Sequence, residues 1–547
     1  MFNDKFKNLI DIALKASEKI IDKNLIVALC LYGSHVSGYA SPESDLDVIL
    51  IAKNFNQKIK YFYIRDFTPI VSILVIDEKL FEQDVEQAYL GEFVAGRLFT
   101  PYYVIYGKEY INEMDLRLKR RTILELTENL ILERKLLSTE LLIKPEYFLF
   151  EKLRRRAAAY PPAKYSYLKI LYGINGEKNL EFMLNGFKIA LDKLVSEKLF
   201  EIINNFYSPK KELVLKMLKD LKTPVKVMEE GERIIKMYLT HGFAGRLNPR
   251  LILEEAYSKI KRSIKIGFEK DLPDPENYLF INTSLGFQPA GIEWSITEFV
   301  NKFYGISKKD FKIEKIGSLF NSTYLLNIPI KNKKIFVKKY LNWTDFKWIV
   351  AWMWTIGVRN FDILASDRMA NEIHFINTLK KEDFNVPSIL HINWKRKLLF
   401  EEYIQGIDLL SLWKNYEKNS KECEEAAFKT GLNIAKVHKL NIAIGDCKAE
   451  NFLLSNGKIY LTDLEQAEFN GDRAWDLAEM LFYPGHYLGT KKSIIFASSL
   501  IDGYLKEGDK EILASSMKLS YSRLLVPWTP LWIIKEVQKI VYEKIKK

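Results

Sequence analysis

The stretch LCLYGSHVSGYASPESDLDVILI, residues 29–51, decides how the N-terminal part of this 547-residue chain folds. Two apolar, strand-like runs flank a loop of small residues. At the loop's end stand Asp45 and Asp47, immediately ahead of Val48-Ile49-Leu50-Ile51. Side chains alternate along a strand, so the two carboxylates project from one face. Like charges held that close repel, and a divalent cation relieves them. The loop opens with Gly33-Ser34 and contains Gly38 and Ser44. Glycines let backbone N–H groups approach phosphate oxygens, and Ser34 adds a hydroxyl donor. Working outward, residues 3–24 read as an amphipathic helix, 25–31 and 47–52 as strands, and PIVSILVID (69–77) as a third apolar run. That order predicts a small α/β unit.

A Gly-Ser turn followed about ten residues later by Asp-x-Asp on a strand resembles the DNA polymerase β-like nucleotidyltransferases, especially the minimal ones. The resemblance implies that Gly33, Ser34 and Ser44 bind the nucleotide and that Asp45 and Asp47 hold Mg²⁺. The family usually carries a third carboxylate on a later strand. Here the inward position is Ser72, and Asp77 has the opposite parity. Nucleotide binding is expected; transfer depends on whether a substrate carboxylate, Asp66 or Asp77 completes the site.

Elsewhere the chain is 48% hydrophobic, enough for sizeable cores, and has no low-complexity tract. Its net charge of +12 suits nucleic acid or anionic nucleotides without proving either. Cys30, Cys423 and Cys447 have no paired spacing, which argues against a disulfide framework or a zinc site. The charged N-terminus lacks an apolar signal core, and no apolar run reaches membrane-spanning length. A cytoplasmic protein without a transmembrane segment is expected. We read a multidomain α/β and α chain: a minimal nucleotidyltransferase domain (1–112), a helical domain (113–268), a linker (269–294), a two-lobed α+β kinase-like domain (295–525) and a C-terminal amphipathic helix (526–547). In the helical part, EKLRRRAAAYPPAKYSY interleaves Arg154, Arg155 and Arg156 with Tyr160, Tyr165 and Tyr167. This is either a solvated cationic face or a surface for phosphates and stacked bases.

A second motif, GDCKAEN, spaces Asp446, Lys448 and Asn451 as Asp-x-Lys-x-x-Asn. This spacing resembles protein kinases, in which the acid orients the acceptor hydroxyl, the lysine meets the γ-phosphate and the asparagine binds magnesium. Asp463 in TDLEQA occupies the place of the Asp-Phe-Gly aspartate, with Leu464-Glu465 replacing Phe-Gly. Upstream, KIFVKKY offers Lys338, SDRMANEIHFINTL offers Glu372 as its helix partner, and LLFEEYIQG offers Glu402 and Gly406 as a hinge. The nucleotide loop KIGSLFNST keeps Gly317 and adds Ser318.

DRAWDLAEM begins nine residues after Asp463, leaving no room for an extended activation segment. That short gap resembles RIO-type kinases and the kinase subunit of the KEOPS tRNA-modification complex, although Ile444 stands where a histidine is usual. Asp472 and Asp476 are expected to brace the catalytic loop. Trp343, Trp348, Trp352 and Trp354 suggest a packing helix, and the basic tail helix is expected to dock on the protein's own surface through Ile533, Ile534, Val537, Ile540 and Val541.

The expected function is that of a transferase using Mg²⁺ and ATP or another NTP: an atypical serine/threonine kinase-like phosphotransferase or ATPase fused to a nucleotidyltransferase domain. Its acceptor would be a protein or a tRNA or other RNA. Two rivals stay open. In one, transfer of a nucleotide monophosphate to protein, RNA or a small molecule is the main activity, regulated by the kinase. In the other, the chain is an NTP-sensing, RNA-binding scaffold.

Overall fold

The computed structural model describes residues 4–220, 232–233, 235–237, 239–240, 244, 271–316, 321–342 and 362–546. Two compact units emerge, one comprising Met1–Glu133 with Leu141–Phe280 and the other Arg134–Glu140 with Ile281–Lys547.

In the first unit the helix Asp4–Glu18 buries Leu9, Ile12, Ala13 and Ala16, the i, i+3, i+4, i+7 stripe of an amphipathic helix. It covers one face of a five-stranded mixed sheet. The strands are β1 (Ile26–Tyr32), β2 (Leu46–Ala52), β3 (Ile59–Ile64), β4 (Val71–Asp77) and β5 (Tyr102–Tyr106), in the order β3-β4-β2-β1-β5. Only β2 and β4 run parallel, with Asp47 beside Ser72. The helix-covered face is built from Leu29, Leu31, Leu46, Val48, Leu50, Val71, Ile73 and Val75. Burial of each large side chain there contributes about 1.5–3 kcal/mol. Period-two alternation then sends Asp47, Ile49 and Ser72 to the opposite face. Helices Lys108–Arg134, Pro145–Ala159, Pro162–Tyr172 and Gly176–Ser196 follow. The strands Phe200–Ile203 and Phe206–Pro209 make a hairpin that pairs with Leu141–Ile143. A stretch that reads as a mostly helical domain therefore carries β-structure, because EIINNF has a turn-forming Asn-Asn between two short β-branched and aromatic runs. Residues 269–291, which read as a linker, include the strands Leu279–Thr283 and Gly286–Pro289, since Leu279 and Ile281 alternate inward.

The second unit holds an antiparallel five-stranded sheet in the order Lys312–Lys315, Ser322–Ile328, Lys333–Lys339, Leu398–Glu402, Ile389–Asn393. Phe299 and Val300, from a helix started by the Ser295/Glu298 capping box, pack with Leu326, Ile328, Ile335, Val337 and Phe400. The helix Ala365–Lys381 carries Glu372. Beyond the sheet lie mainly helices, with Ser420–Lys439 crossing Gly485–Tyr504 where Gly431 meets the backbone of Leu500. The last helix, Leu531–Lys546, buries Ile533, Ile534, Val537 and Val541, and Lys544 pairs with Asp502 at 2.5 Å. Its apolar stripe is thus covered by its own unit. The four tryptophans Trp343, Trp348, Trp352 and Trp354 lie outside the described residues. No helix among the described residues is long and apolar enough to cross a membrane.

Candidate functional site

The first unit places the Gly-Ser loop where β1 ends. Gly33 has φ 77° and ψ −151°, a conformation that suits glycine, and a Cβ there would collide with the Asp47 carboxylate. The loop therefore closes directly on the aspartate. Asp45 and Asp47 are half-buried on either side of the fully buried Leu46, as strand alternation requires. Ser34 begins the helical turn Ser34–Ser37, and Asn179 donates to the Ser37 carbonyl at 3.0 Å. Burial pushes the nearby Tyr39 phenol up to about 12, with a hydrogen bond from Ser166 opposing and the Asp47 charge adding. Ser44 serves the loop itself: its hydroxyl meets the Ser41 N–H at 2.9 Å and the Ser41 hydroxyl at 3.1 Å, and its carbonyl meets His35 at 3.1 Å.

Ser72 lies beside Asp47, fully buried, and its hydroxyl has no hydrogen-bond partner among the described residues. Neither alternative carboxylate reaches this face. Asp77 points to the helix side, accepting from the Phe55 N–H at 3.0 Å, and Asp66 pairs with Lys19 at 2.7 Å. The three neighbouring arginines all have acidic partners: Arg154 with Asp274 at 3.1 Å, Arg155 with Glu151 at 2.6 Å and Arg156 with Glu92 at 3.3 Å. They belong to the unit's own ion pairs.

The second unit brings Lys338, Glu372, Glu402, Asn451 and Asp463 around one cavity of about 370 Å³, whose lining does not include Asp446 or Lys448. Strand pairing sets Lys338 opposite Leu399 and Phe336 opposite Glu401, so alternate residues of both strands face the same way. Lys338 is 4% exposed and its Nζ reaches Glu372 at 2.7 Å, Asp463 at 2.5 Å and Glu465 at 2.9 Å. Burial alone would lower this ammonium, but the three carboxylates outweigh it and hold it well above the usual lysine value. Tyr340 also donates to Glu372. Asp463 has φ 58° and keeps 38% of its side chain open, toward the cavity it lines. Burial pushes its carboxyl up to about 7; Lys338 opposes this, while Glu465 and Glu372 add to it. Asn451 and Glu402 line the same cavity. Gly317 and Ser318 lie outside the described residues.

Asp446 and Lys448 pair at 2.5 Å, and Asn451 Nδ2 donates to the Asp446 carbonyl at 2.8 Å. Burial would lower the Lys448 ammonium, yet Asp446 and Glu479 raise it. Asp476 braces this loop, accepting from the N–H groups of Ile444 at 2.6 Å and Gly445 at 2.7 Å and meeting His438 Nε2 at 3.1 Å. Asp472 instead caps the helix Arg473–Phe482, accepting from Ala474 and Trp475 and from the Tyr521 hydroxyl at 2.6 Å.

Two acidic residues escaped the sequence reading. Glu465, noted only as a departure from Phe-Gly, is 5% exposed and binds Lys338, Arg368 at 3.0 Å and Asn321 at 2.8 Å. Burial would raise its carboxyl, but Lys338 and Arg368 hold it below the usual range. Glu401, beside the hinge, lines the cavity. The signal for Glu465 was the charge itself, since a carboxylate replacing glycine in a buried turn requires a cation. Oxygens of Glu372, Asp463 and Glu465 lie within 4.8 Å of one another, a cluster able to hold a metal ion.

Comparison with known families follows the same division. Residues 14–153 match the nucleotidyltransferase domain, and residues 331–491 match the lipopolysaccharide kinase (Kdo/WaaP) family. The chain carries two transferase-family domains. Relatives of the C-terminal region include the KEOPS complex subunit Bud32 of Pyrococcus abyssi, 31% identical over 109 residues, covering 20% of this chain and 48% of that protein. The EKC/KEOPS complex subunit BUD32 of Debaryomyces hansenii is 28% identical over 188 residues, covering 29% of this chain and 71% of that protein. The chain thus spans about half the length of the Pyrococcus relative. The KEOPS-type resemblance read from the second motif and these relatives agree; the lipopolysaccharide kinase family is one the motifs had not suggested.

Proposed function

We propose that the chain is an ATP- and magnesium-dependent phosphotransferase of the atypical serine/threonine kinase type, or an ATPase using the same site, joined to a domain that captures a second nucleotide. One observation carries the reading: Lys338 contacts Glu372 and Asp463 on the wall of a cavity that Asn451 also lines. Lys338 would steady the phosphates, Glu372 would hold the lysine in place, Asp446 would orient the acceptor hydroxyl and Lys448 would meet the γ-phosphate. Gly317, Ser318 and Glu402 would complete the nucleotide pocket. The donor set suits magnesium, a hard cation bound by oxygen. Asn451 commits its Nδ2 to Asp446, leaving its amide oxygen available as a ligand together with the Asp463 carboxylate. Bound there, the ion would neutralise charge on the β- and γ-phosphate oxygens.

In the N-terminal domain Gly33 and Ser34 would cradle phosphate, Ser44 would shape the loop, and Asp45 and Asp47 would hold the cation. The neutral Ser72 beside Asp47 favours capture over nucleotidyl transfer. The acceptor would be a protein or an RNA, and the naming of the relatives as KEOPS subunits supports assembly with partner proteins.

Asp446→Asn tests the reading. It should abolish γ-phosphate transfer or ATP hydrolysis while leaving unfolding unchanged; wild-type turnover in the variant overturns the assignment. Parallel incubation with α- and γ-labelled ATP separates the activities, because retained α-label demands nucleotidyl transfer.

A further inference from the structure

One acid of the C-terminal site has no task in that reading. Glu465 is buried, and its Oε2 meets Lys338 Nζ at 2.9 Å. Lys338 and Arg368 hold its carboxyl below the usual range, so it stands there as a charge. An ammonium group has three protons to donate. Glu372 at 2.7 Å, Asp463 at 2.5 Å and Glu465 at 2.9 Å take up all three. A phosphate oxygen can therefore reach Lys338 only by displacing one of these carboxylates.

The surroundings say which one yields. Glu372 is 1% exposed and would keep only the Tyr340 hydroxyl among the described residues, a buried charge left without a cation. Glu465 is held from both sides. Arg368 donates to its Oε1 at 3.0 Å, and Asn321 donates at 2.8 Å to Oε2, the oxygen on the lysine. Arg368 also donates to the Asn321 oxygen at 2.8 Å, which fixes the amide that does this. Asp463 alone has 38% of its side chain open, toward the cavity it lines. Moreover, three carboxylates against the two cations Lys338 and Arg368 leave one net negative charge, which opposes an uncomplexed triphosphate.

We propose that Glu465 is a specificity-determining residue that makes the cavity accept a nucleoside triphosphate as its divalent-cation complex and refuse the metal-free form. The inference rests on reading this cavity as a nucleotide site. A glycine in this place, as in Asp-Phe-Gly, would leave one ammonium proton for phosphate with or without a metal. With Glu465 present, that proton is released only when Asp463 turns from the lysine to a bound cation.

The test is calorimetry on the full-length chain carrying Asp45→Asn and Asp47→Asn, which remove the N-terminal metal ligands. In excess EDTA, ATP should bind no tighter than adenosine, because its phosphates meet no free ammonium proton. With magnesium, ATP should bind at least roughly tenfold tighter than adenosine, the range of one charge-assisted hydrogen bond. Glu465→Gln keeps the side chain's shape and an oxygen for Arg368. It should tighten metal-free ATP binding roughly tenfold and leave adenosine within about threefold. Metal-free ATP that outbinds adenosine roughly tenfold in the chain with Glu465 intact, or a magnesium requirement that survives Glu465→Gln, overturns the role of Glu465 and leaves the nucleotide site standing. A gain shared equally by adenosine also overturns it, since that reports a reshaped cavity and not a freed ammonium. Should Glu465→Gln fail to fold, the comparison in EDTA decides alone. Binding of neither magnesium-ATP nor adenosine with Glu465 intact overturns the site itself, and the inference with it.

Discussion

Lys338→Met is the perturbation whose size the structure sets most directly. The side chain is close to lysine's length, so packing is nearly preserved and the charge alone is removed. Five charged groups share this region: Lys338 and Arg368 against Glu372, Asp463 and Glu465. After substitution Glu465 keeps Arg368 at 3.0 Å and Asn321 at 2.8 Å. Asp463 faces the cavity with 38% of its side chain open, so its loss is softened by solvent. Glu372, 1% exposed, loses its cation and keeps the Tyr340 hydroxyl. One uncompensated buried carboxylate corresponds to about 3–5 kcal/mol. With a urea dependence near 3 kcal/mol per molar, the midpoint of the C-terminal transition should fall by roughly 1 M or more. Urea unfolding followed by tryptophan fluorescence reads this. A loss below about 1 kcal/mol would refute the argument, because it would mean that Glu372 is satisfied without the lysine.

Three further outcomes are expected. Gly33→Ala forces a side chain into a left-handed position against Asp47, at a cost of about 1–3 kcal/mol; magnesium-nucleotide binding by the N-terminal domain should weaken at least roughly tenfold while γ-phosphate chemistry persists, as calorimetry and label transfer would report. Asp476→Ala orphans the N–H groups of Ile444 and Gly445, at about 1–3 kcal/mol each, and urea unfolding should show that loss together with slowed turnover at saturating ATP. His391 donates through Nδ1 to the Gln288 oxygen at 2.6 Å, since Gln288 Nε2 is committed to Thr283 and Leu390. Burial holds its imidazole down to about 4, below the unfolded value near 6.5. The unfolded chain therefore binds the extra proton between those values, so this contribution is complete above pH 6.5 and is lost as pH falls toward 4, by about 1.4 kcal/mol per unit. Thermal unfolding of the wild type should be steeper in pH over that interval than that of His391→Phe.

Much of this was legible because it depends on short-range patterns. Strand alternation alone predicts that Asp45 and Asp47 share a face, that Ser72 joins them and that Asp77 does not. The order Lys338, Glu372, Asp446, Asn451, Asp463 likewise reads as one site. What stayed hidden depends on tertiary neighbours. Glu465 looked like a lost glycine, and only the approach of Lys338 and Arg368 gives it a place. Glu401 looked like half of a Glu-Glu pair, and nothing local distinguishes the buried acid from the exposed Glu402. The arginines of residues 154–156 read either as a solvated face or as a phosphate surface in sequence, and only Asp274, distant in sequence, and Glu92 beside two of them show their ion pairs. Ser44 likewise reads as a phosphate donor, whereas its hydroxyl closes a turn with Ser41.

Seven residues far upstream, Arg134–Glu140, fold with the C-terminal half of the chain. Glu140 meets His374 at 3.2 Å and Asn377 at 3.1 Å, and Thr139 meets His374 at 2.7 Å, two residues from Glu372 on the same helix. A fragment beginning at Ile281 would therefore lack the clasp that fixes this helix, and His374 and Asn377 would lose their acidic anchor. Dissection of the chain at the apparent boundary would deliver a kinase-like half with a loosened Glu372, and any weakness measured in it would report the cut.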